Sequence, residues 1–497
     1  MTQNSIPYQI ESLEDTMKLT ARAGIAPFFD LLLRSGFLKA VRAHLDARHK
    51  GWPVIAQVLG VFILLLADAE HVDDIGRVQQ DEALMLLVHR FLSRLLRGQE
   101  KKRYMRLRRK GALPSASALR RFLESFHDAK QEELRPKAQT KAFIPQPMQG
   151  LQALSVLNAV LIEYTLRCLP QRSVTLDMDA TIAESHKREA LYSYKKVPGY
   201  QPLNVFIAEL GQMLYSSFRD GNVPCGYRQL EVFKTALSLL PPVVKEVSLR
   251  TDTQGYEWEL LRYCAEGKDP RFGVIPFACG ADVTPELKRA VKKCATWTRY
   301  AVEYADGQRI ETNQEYSDHV EFVSNAMAQG KTGTRYRFIA IREGLQRELP
   351  ETAQTELPFP SYKSGTSRYK LYVVVTNRFD LSAEELIRWH RARCGASEHA
   401  HAEIKTALAG GCLPSGKFGA NAAWWQFNIM VFNLHRMMSL LVLGEPCAQR
   451  KIKTVRRLLI TIAAWVQIKA RQLVLRVAEH QVEFLRDLRR RIEALPG

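Results

Sequence analysis

The chain lacks any C-x-x-C pair: its eight cysteines (168, 225, 264, 279, 294, 394, 412 and 447) are scattered. That excludes a zinc ribbon and argues against a disulfide framework, so reduced thiols in a cytoplasmic protein are expected. A membrane-spanning stretch is also missing. The longest apolar run, Trp52 to Ala67, contains Gln57 and Gly60 and falls short of the ~20 residues needed to cross a bilayer. It reads as a buried helix, and no membrane partner is expected. The opening residues, M-T-Q-N-S-I-P-Y, have neither a basic nor an apolar leader segment, so no secretory signal is expected. No internal repeat is visible. Acid is the scarce charge: 52 Asp and Glu against 71 Lys and Arg leave a net charge of +19, which favours a polyanionic partner.

What is present is long enough, at 497 residues, for roughly three domains. The most informative stretch is Val174 to Ile182, V-T-L-D-M-D-A-T-I. Period two places Val174, Leu176 and Met178 on one strand face, and Thr175, Asp177, Asp179 and Thr181 on the other. Burying unpaired carboxylates costs several kcal/mol in order of magnitude. Two aspartates on one strand face therefore point to a cation, a partner or a water-filled site.

Residues 1–150 read as a helical region and a linker, with helices at Ala26–Phe37, Val54–Leu66, Glu82–Leu96 and Ser117–Phe126. A basic tract containing Arg94, Arg97, Lys101, Lys102, Arg103, Arg106, Arg108, Arg109, Lys110, Arg120 and Arg121, with Tyr104 interleaved, suits contact with a DNA backbone. Proline-bearing text from Lys130 to Gly150 reads as the linker. A helix over Leu151–Leu169 then delivers the chain to the aspartate strand.

Beyond a loop rich in charge and tyrosine, Glu184 to Tyr200, come strands at Leu203–Leu210 and Met213–Phe218 joined at Gly211-Gln212. Next are a helix at Gln229–Leu240, a strand at Val243–Asp252, a helix at Tyr256–Ala265 and a strand at Phe272–Phe277. A three-strand meander followed by alternating helix and strand is the order of an RNase H-like mixed α/β sheet with helices on both faces. Asp252 ends its strand, where ligand sites of open α/β sheets gather, although a helix N-cap role is an equal alternative for it alone. Residues 290–368 read as a β-rich insertion, with short strands at Tyr300–Tyr304, Val320–Val323 and Arg335–Ile341. The core resumes at 369–418 with the strand Tyr369–Thr376 and a helix capped by Ser382. Glu398, His401 and Lys405 then stand at i, i+3 and i+7, one helical face. Residues 419–497 read as a helical region with buried Trp424 and Trp425, a second basic stretch from Arg450 to Arg476, and a closing amphipathic helix over Val482–Leu495.

In the motifs L-D-M-D-A-T, G-Y-Q-P-L-N-V-F-I-A-E, F-R-D-G-N, L-R-T-D-T-Q-G-Y, V-V-T-N-R, R-C-G-A-S-E-H-A-H-A-E-I-K and P-S-G-K-F-G-A-N-A-A-W-W, the chain resembles the DDE-type transposases of bacterial insertion sequences. It is most similar to those whose RNase H-like core is interrupted by a β-strand insertion. The resemblance maps the first catalytic and metal-binding acid to Asp179, with Asp177 a hydrogen-bonding neighbour, and the second to Asp252. It maps the third to Glu398, with Glu403 as the alternative. The family's Tyr-Arg-Glu-Lys signature places His390 at the tyrosine, Lys405 at the lysine and either Arg391 or Arg393 at the arginine. Helical phase favours Arg391, seven residues before Glu398, unless Gly395 breaks that phase.

By this resemblance the three acids hold two Mg²⁺ or Mn²⁺ ions, Asp179 bridging both, for cleavage and joining of DNA strands. Hard oxygen ligands with no cysteine cluster favour those ions over zinc. Lys405, Arg391 or Arg393, and His401 are expected to grip a terminal phosphate, and Arg106, Arg108 and Arg109 the duplex backbone. The expected partners are double-stranded DNA, as transposon ends and target, and a second copy of the chain in a synaptic homodimer. A location in the bacterial cytoplasm at the nucleoid follows from the same resemblance. Two other classes remain open: a nuclease of this fold that cuts without joining, and a transposase-derived DNA-binding protein without catalysis.

Overall fold

The computed structural model describes residues 18–45, 51–135, 141–303, 307–324, 329–330, 333–345, 359–364, 367–445, 447–470 and 472–497. Tyr304, residue 471 of the second basic stretch, residues 136–140 of the expected linker, the Lys110 side chain and the opening M-T-Q-N-S-I-P-Y lie outside the described residues. The chain forms two compact units, residues 129–146 with 162–405 and residues 1–128 with 147–161 and 406–497.

The first unit is built on one large mixed sheet. Its strands are β1 (Ser173–Ala180), β2 (Leu203–Ile207), β3 (Gln212–Ser217), β4 (Glu246–Thr251), β5 (Phe277–Gly280), β6 (Thr298–Glu303), β7 (Arg309–Ser317), β8 (Arg337–Gly344), β9 (Ser361–Ser364) and β10 (Ser367–Thr376). They lie in the order β6-β7-β8-β10-β5-β4-β1-β2-β3, with β9 against the amino-terminal half of β10. The meander β1-β2-β3 is antiparallel, whereas β1, β4 and β5 are parallel. Parallel neighbours need crossovers, which the helices α1 (Gln229–Leu239) and α2 (Trp258–Ala265) supply.

Side-chain alternation sorts the sheet into two apolar layers. Val174, Leu176, Met178, Phe338, Ala340, Val373 and Val375 join the core beneath α1 and α2. Ile339, Ile341 and Val374 face the other way, onto Leu386 and Ile387 of α3 (Ala383–Arg391). The β-rich insertion is continuous with the core sheet, because β10 pairs with β8 along one edge and with β5 along the other. No strand forms over Val320–Val323. The β7–β8 ladder ends at Ser317, and Asp318 is drawn off the sheet by an ion pair with Arg337 at 2.5 Å. The strand expected at Phe272–Phe277 instead occupies β5. Phe272 is held in a turn by Asp269, Gly273 has φ +61°, and Pro276 has no N–H to give a ladder.

The stretch expected to be a linker at Lys130 begins as a helix, Ala129–Leu134, and is pinned by the buried Arg135, which donates to both carboxylate oxygens of Asp220 at 2.8 Å.

In the second unit the terminal regions, read separately from sequence, fold together. The helix Val54–Leu66 is buried at every residue but Gln57, and Phe418–Met438 at every residue but Arg436. Phe427 meets Phe62 and Phe122 with ring centroids 6.3 and 5.8 Å apart, and Trp424 and Trp425 are fully buried. The basic tract is a helix, Gly98–Leu107, with a 3-10 turn after it. Tyr104 is core, while Arg106, Arg108 and Arg109 are exposed. The C-terminal region, expected to be helical, carries a hairpin, Ala464–Lys469 and Gln472–Arg476, paired to Leu19–Thr20. Alternating burial of Ala464 and Val466 makes that segment a strand. No helix among the described residues is long and apolar enough to cross a membrane.

Gly24 marks the tightest backbone approach in this unit: a Cβ there would lie 1.6 Å from the Leu459 carbonyl oxygen. Gly24→Ala is expected to destabilise the unit by about 3 kcal/mol in urea denaturation. An unchanged midpoint would refute the close packing of the chain at Gly24 against Leu459.

Candidate functional site

Strand register assembles the site. Met178 pairs with Thr251 across the parallel β1–β4 ladder, so the next residue on each, Asp179 and Asp252, emerges beside the other at the strands' carboxyl ends. Asp252 also caps the short 3-10 turn Thr253–Gly255 by accepting from the Gln254 N–H at 2.9 Å, so the cap and the site share one carboxylate. Gly255 is required in that turn, where a Cβ would fall 2.3 Å from the Thr251 side chain.

Asp177, one strand repeat before Asp179, has a different environment. It is wholly buried and accepts two hydrogen bonds from Arg250, at 2.6 and 2.8 Å. The third arm of Arg250 donates to the Trp389 carbonyl at 2.7 Å. His390, next along, donates through Nε2 to the Thr251 carbonyl at 2.9 Å. Burial holds its imidazole down at about 4, so it is a neutral latch. Two adjacent residues on β4 are thereby fastened to two adjacent residues on α3.

After α3 the chain breaks. Gly395 has φ +93°, and a new helix, α4 (Ala396–Thr406), starts one residue later. The break corrects the helical-phase choice of Arg391. That side chain donates to Gln314 at 2.7 Å and lies over the Tyr300 ring, with its guanidinium 4.7 Å from the centroid. Arg393 is the arginine that reaches the acids: it is buried, with Nη1 3.7 Å from Asp179. Its Nε has no hydrogen-bond partner among the described residues.

The acids Asp179, Asp252 and Glu398, with Arg393, His401 and Lys405, line one cavity of about 370 Å³. Ala180, Thr181, Tyr194, Lys195, Gln254 and Ala402 complete its wall. Burial, with Asp252's charge added, pushes Asp179 up to about 7, while Arg393 opposes the shift. Burial also raises Asp252, again opposed by Arg393. His401 is buried, within 4.0 Å of Asp179, and its Nε2 is 3.0 Å from the Asn204 amide. Burial holds its imidazole at about 3, so it is neutral and lacks the charge expected of a phosphate grip. Lys405 donates to the Ile182 carbonyl at 3.2 Å, and burial lowers its pKa.

Tyr194, Lys195, Gln254 and Asn204 carried no assigned role in sequence. The charge and tyrosine of the Glu184–Tyr200 loop were the only signal for the first two.

Among the described residues, no three His, Cys, Asp or Glu side chains converge on a single metal-ion position. The donor set nevertheless suits hard divalent cations: three carboxylates and no thiolate, two of them half-buried and raised in pKa. A cation held by Asp179 and Asp252 would offset the repulsion that adds to burial in raising Asp179.

Because its pKa is raised, Asp179 keeps its proton more tightly in the folded chain than in the unfolded one. The resulting stabilisation is full below the ordinary value of 3.8 and is lost as pH rises through about 7. Without divalent ions, unfolding free energy is expected to fall across that window, and to fall less steeply in Asp179→Asn. Parallel pH profiles for the two proteins would refute the shift.

The chain is similar to a solved piggyBac transposase synaptic complex with hairpin DNA, at 10% identity and a TM-score of 0.41, covering 97% of this chain and 88% of that one. Comparison with curated proteins finds no match. The family model for the Transposase DDE domain group 1 matches residues 31–496, nearly the whole length. The chain belongs to that family of DDE transposases.

Proposed function

We propose that the chain binds the ends of its own DNA element, cleaves the strands there and joins the 3′ ends to target DNA by metal-dependent phosphoryl transfer. The observation that carries this reading is the shared cavity of Asp179, Asp252 and Glu398 with Arg393 and Lys405. Acids and cations in one open site suit a phosphodiester, whose transfer needs negative ligands for metal and positive groups for phosphate.

Asp179, Asp252 and Glu398 would hold a pair of Mg²⁺ or Mn²⁺ ions, which supply activation of the attacking hydroxyl and screening of charge at phosphorus. Arg393 and Lys405 hold the phosphate, the arginine through its fork and the lysine as a point charge. Asp177 takes no part in chemistry; it clamps Arg250 and so fixes where Asp179 and Asp252 emerge. His401, neutral and backed by Asn204, supports the position of the Asp179 carboxylate. The exposed Arg106, Arg108 and Arg109 bind duplex backbone, and a homodimer brings two element ends together for coupled cleavage.

Asp252→Ala is expected to abolish Mg²⁺-dependent cleavage of end DNA, a loss of at least about a thousandfold in a gel assay. Wild-type rates in that variant would sink the site. Cut ends recovered without any joined target would confine the activity to cleavage.

Replacing Arg106, Arg108 and Arg109 together by Ala is expected to weaken DNA binding and flatten its salt dependence by about three units of log–log slope. An unaltered slope in a fluorescence titration would remove this tract from the interface.

A further inference from the structure

The cavity has a lip that neither the acids nor their cations explain. Residues 183–200 fold into a small three-stranded sheet, Ala183–Glu184, Leu191–Tyr192 and Pro198–Tyr200, whose hairpin tip carries Tyr194 and Lys195 into the cavity wall. Tyr194 is 60% exposed, an aromatic ring left to solvent at the edge of a charged site. The Lys195 ammonium lies 5.8 Å from its ring centroid. The Tyr194 hydroxyl is 3.5 Å from the Gln254 amide nitrogen, two residues past Asp252.

The tip is built rigidly. Ser193 is buried, its N–H and hydroxyl both donate to the Val197 carbonyl, at 2.9 and 3.0 Å, and Lys196 takes φ +59° to close the turn. Underneath, Gly221 donates to the Gly199 carbonyl at 3.0 Å, and a Cβ on Gly221 would meet the Leu191 carbonyl at 2.4 Å. Next to it, Asp220 holds Arg135, which also donates to the Glu189 carbonyl at 2.9 Å. A buried ion pair thus anchors a hairpin whose tip brings a ring and a cation, Tyr194 and Lys195, to the cavity wall.

We propose that this tip is a clamp for the nucleotide flanking the scissile phosphodiester: Tyr194 stacks on its base and Lys195 holds its phosphate. The inference rests on the reading of the cavity as the DNA-cleaving site, and adds the recognition of one neighbouring nucleotide. A ring face accepts any base, so the clamp positions DNA without reading sequence. Lys195 and Lys405 line the same cavity, so two ammonium groups face the site from different elements.

The test uses the full chain with Mg²⁺ and duplex oligonucleotides bearing one end of its element, either intact or with an abasic site at the flanking nucleotide. Tyr194→Ala is expected to slow cleavage of intact DNA by about tenfold, with Tyr194→Phe retaining most of the rate. The abasic site is expected to slow the wild type by a similar factor and to slow Tyr194→Ala little further. Lys195→Ala is expected to lower the salt slope of binding by about one unit. Wild-type rates in Tyr194→Ala, or penalties for abasic DNA and Tyr194→Ala that simply multiply, would overturn the clamp. Asp252→Ala separates the two levels: if it is inactive while Tyr194→Ala is unimpaired, only the clamp fails. If it cleaves normally, the site fails and the clamp with it.

Discussion

Asp177 has no access to water, and the layout of the candidate site follows from how its charge is met. A lone carboxylate at that depth would cost several kcal/mol in order of magnitude, and the low-dielectric surroundings that make it costly also make its partner obligatory. Arg250 answers with a two-pronged grip and spends its remaining arm on the Trp389 carbonyl. One guanidinium thus joins the strand of the first acid, the strand of the second and the helix that leads to the third. His390 doubles the joint through a neutral imidazole, which holds its bond without adding charge beside the acids. The three elements are locked in the dry interior, and Asp179 and Asp252 stand two residues beyond Asp177 and Arg250 on their strands.

Beyond that joint the site is arranged against itself. Burial raises both Asp179 and Asp252, the charge of Asp252 adds to the shift of Asp179, and Arg393 with nearby backbone N–H groups opposes it. Such a balance is poor for the isolated fold and good for a visitor carrying both metal charge and phosphate charge. Pre-placed groups of this kind need not reorganise when charge develops, which is where much of an enzyme's advantage arises. Among the described residues the buried Nε of Arg393 has no hydrogen-bond partner, which leaves that donor available at the site.

Much of this was legible in the chain because strand periodicity is a local property. Alternation along Val174–Thr181 separated core from polar face, and the β–α–β alternation after it carried the sheet order. Choosing between Asp177 and Asp179 from sequence needed the family's motif, since both lie on one face; the difference is a cross-strand arginine 73 positions away. Arg393 was obscured for a related reason: helical phase holds only while the helix does, and Gly395 ends it. The Tyr194–Lys195 tip was visible as composition but not as placement, since what aims it is a long-range ion pair between Arg135 and Asp220. Ladder continuity across β10 was equally out of reach, because a strand's second edge leaves no mark on its own residues.

Gly395 also sets how this region can vary. Residues 392–395, between α3 and α4, form a turn, so helical phase does not carry from one helix to the next and must be counted within α4 alone. A single insertion within α4 between Glu398 and Lys405 would turn one of the two about 100° away from the cavity, whereas many point changes on the outer face of α4 would leave their setting intact. This face of the site therefore tolerates changes of composition on the far side of α4 but not a change of count between Glu398 and Lys405.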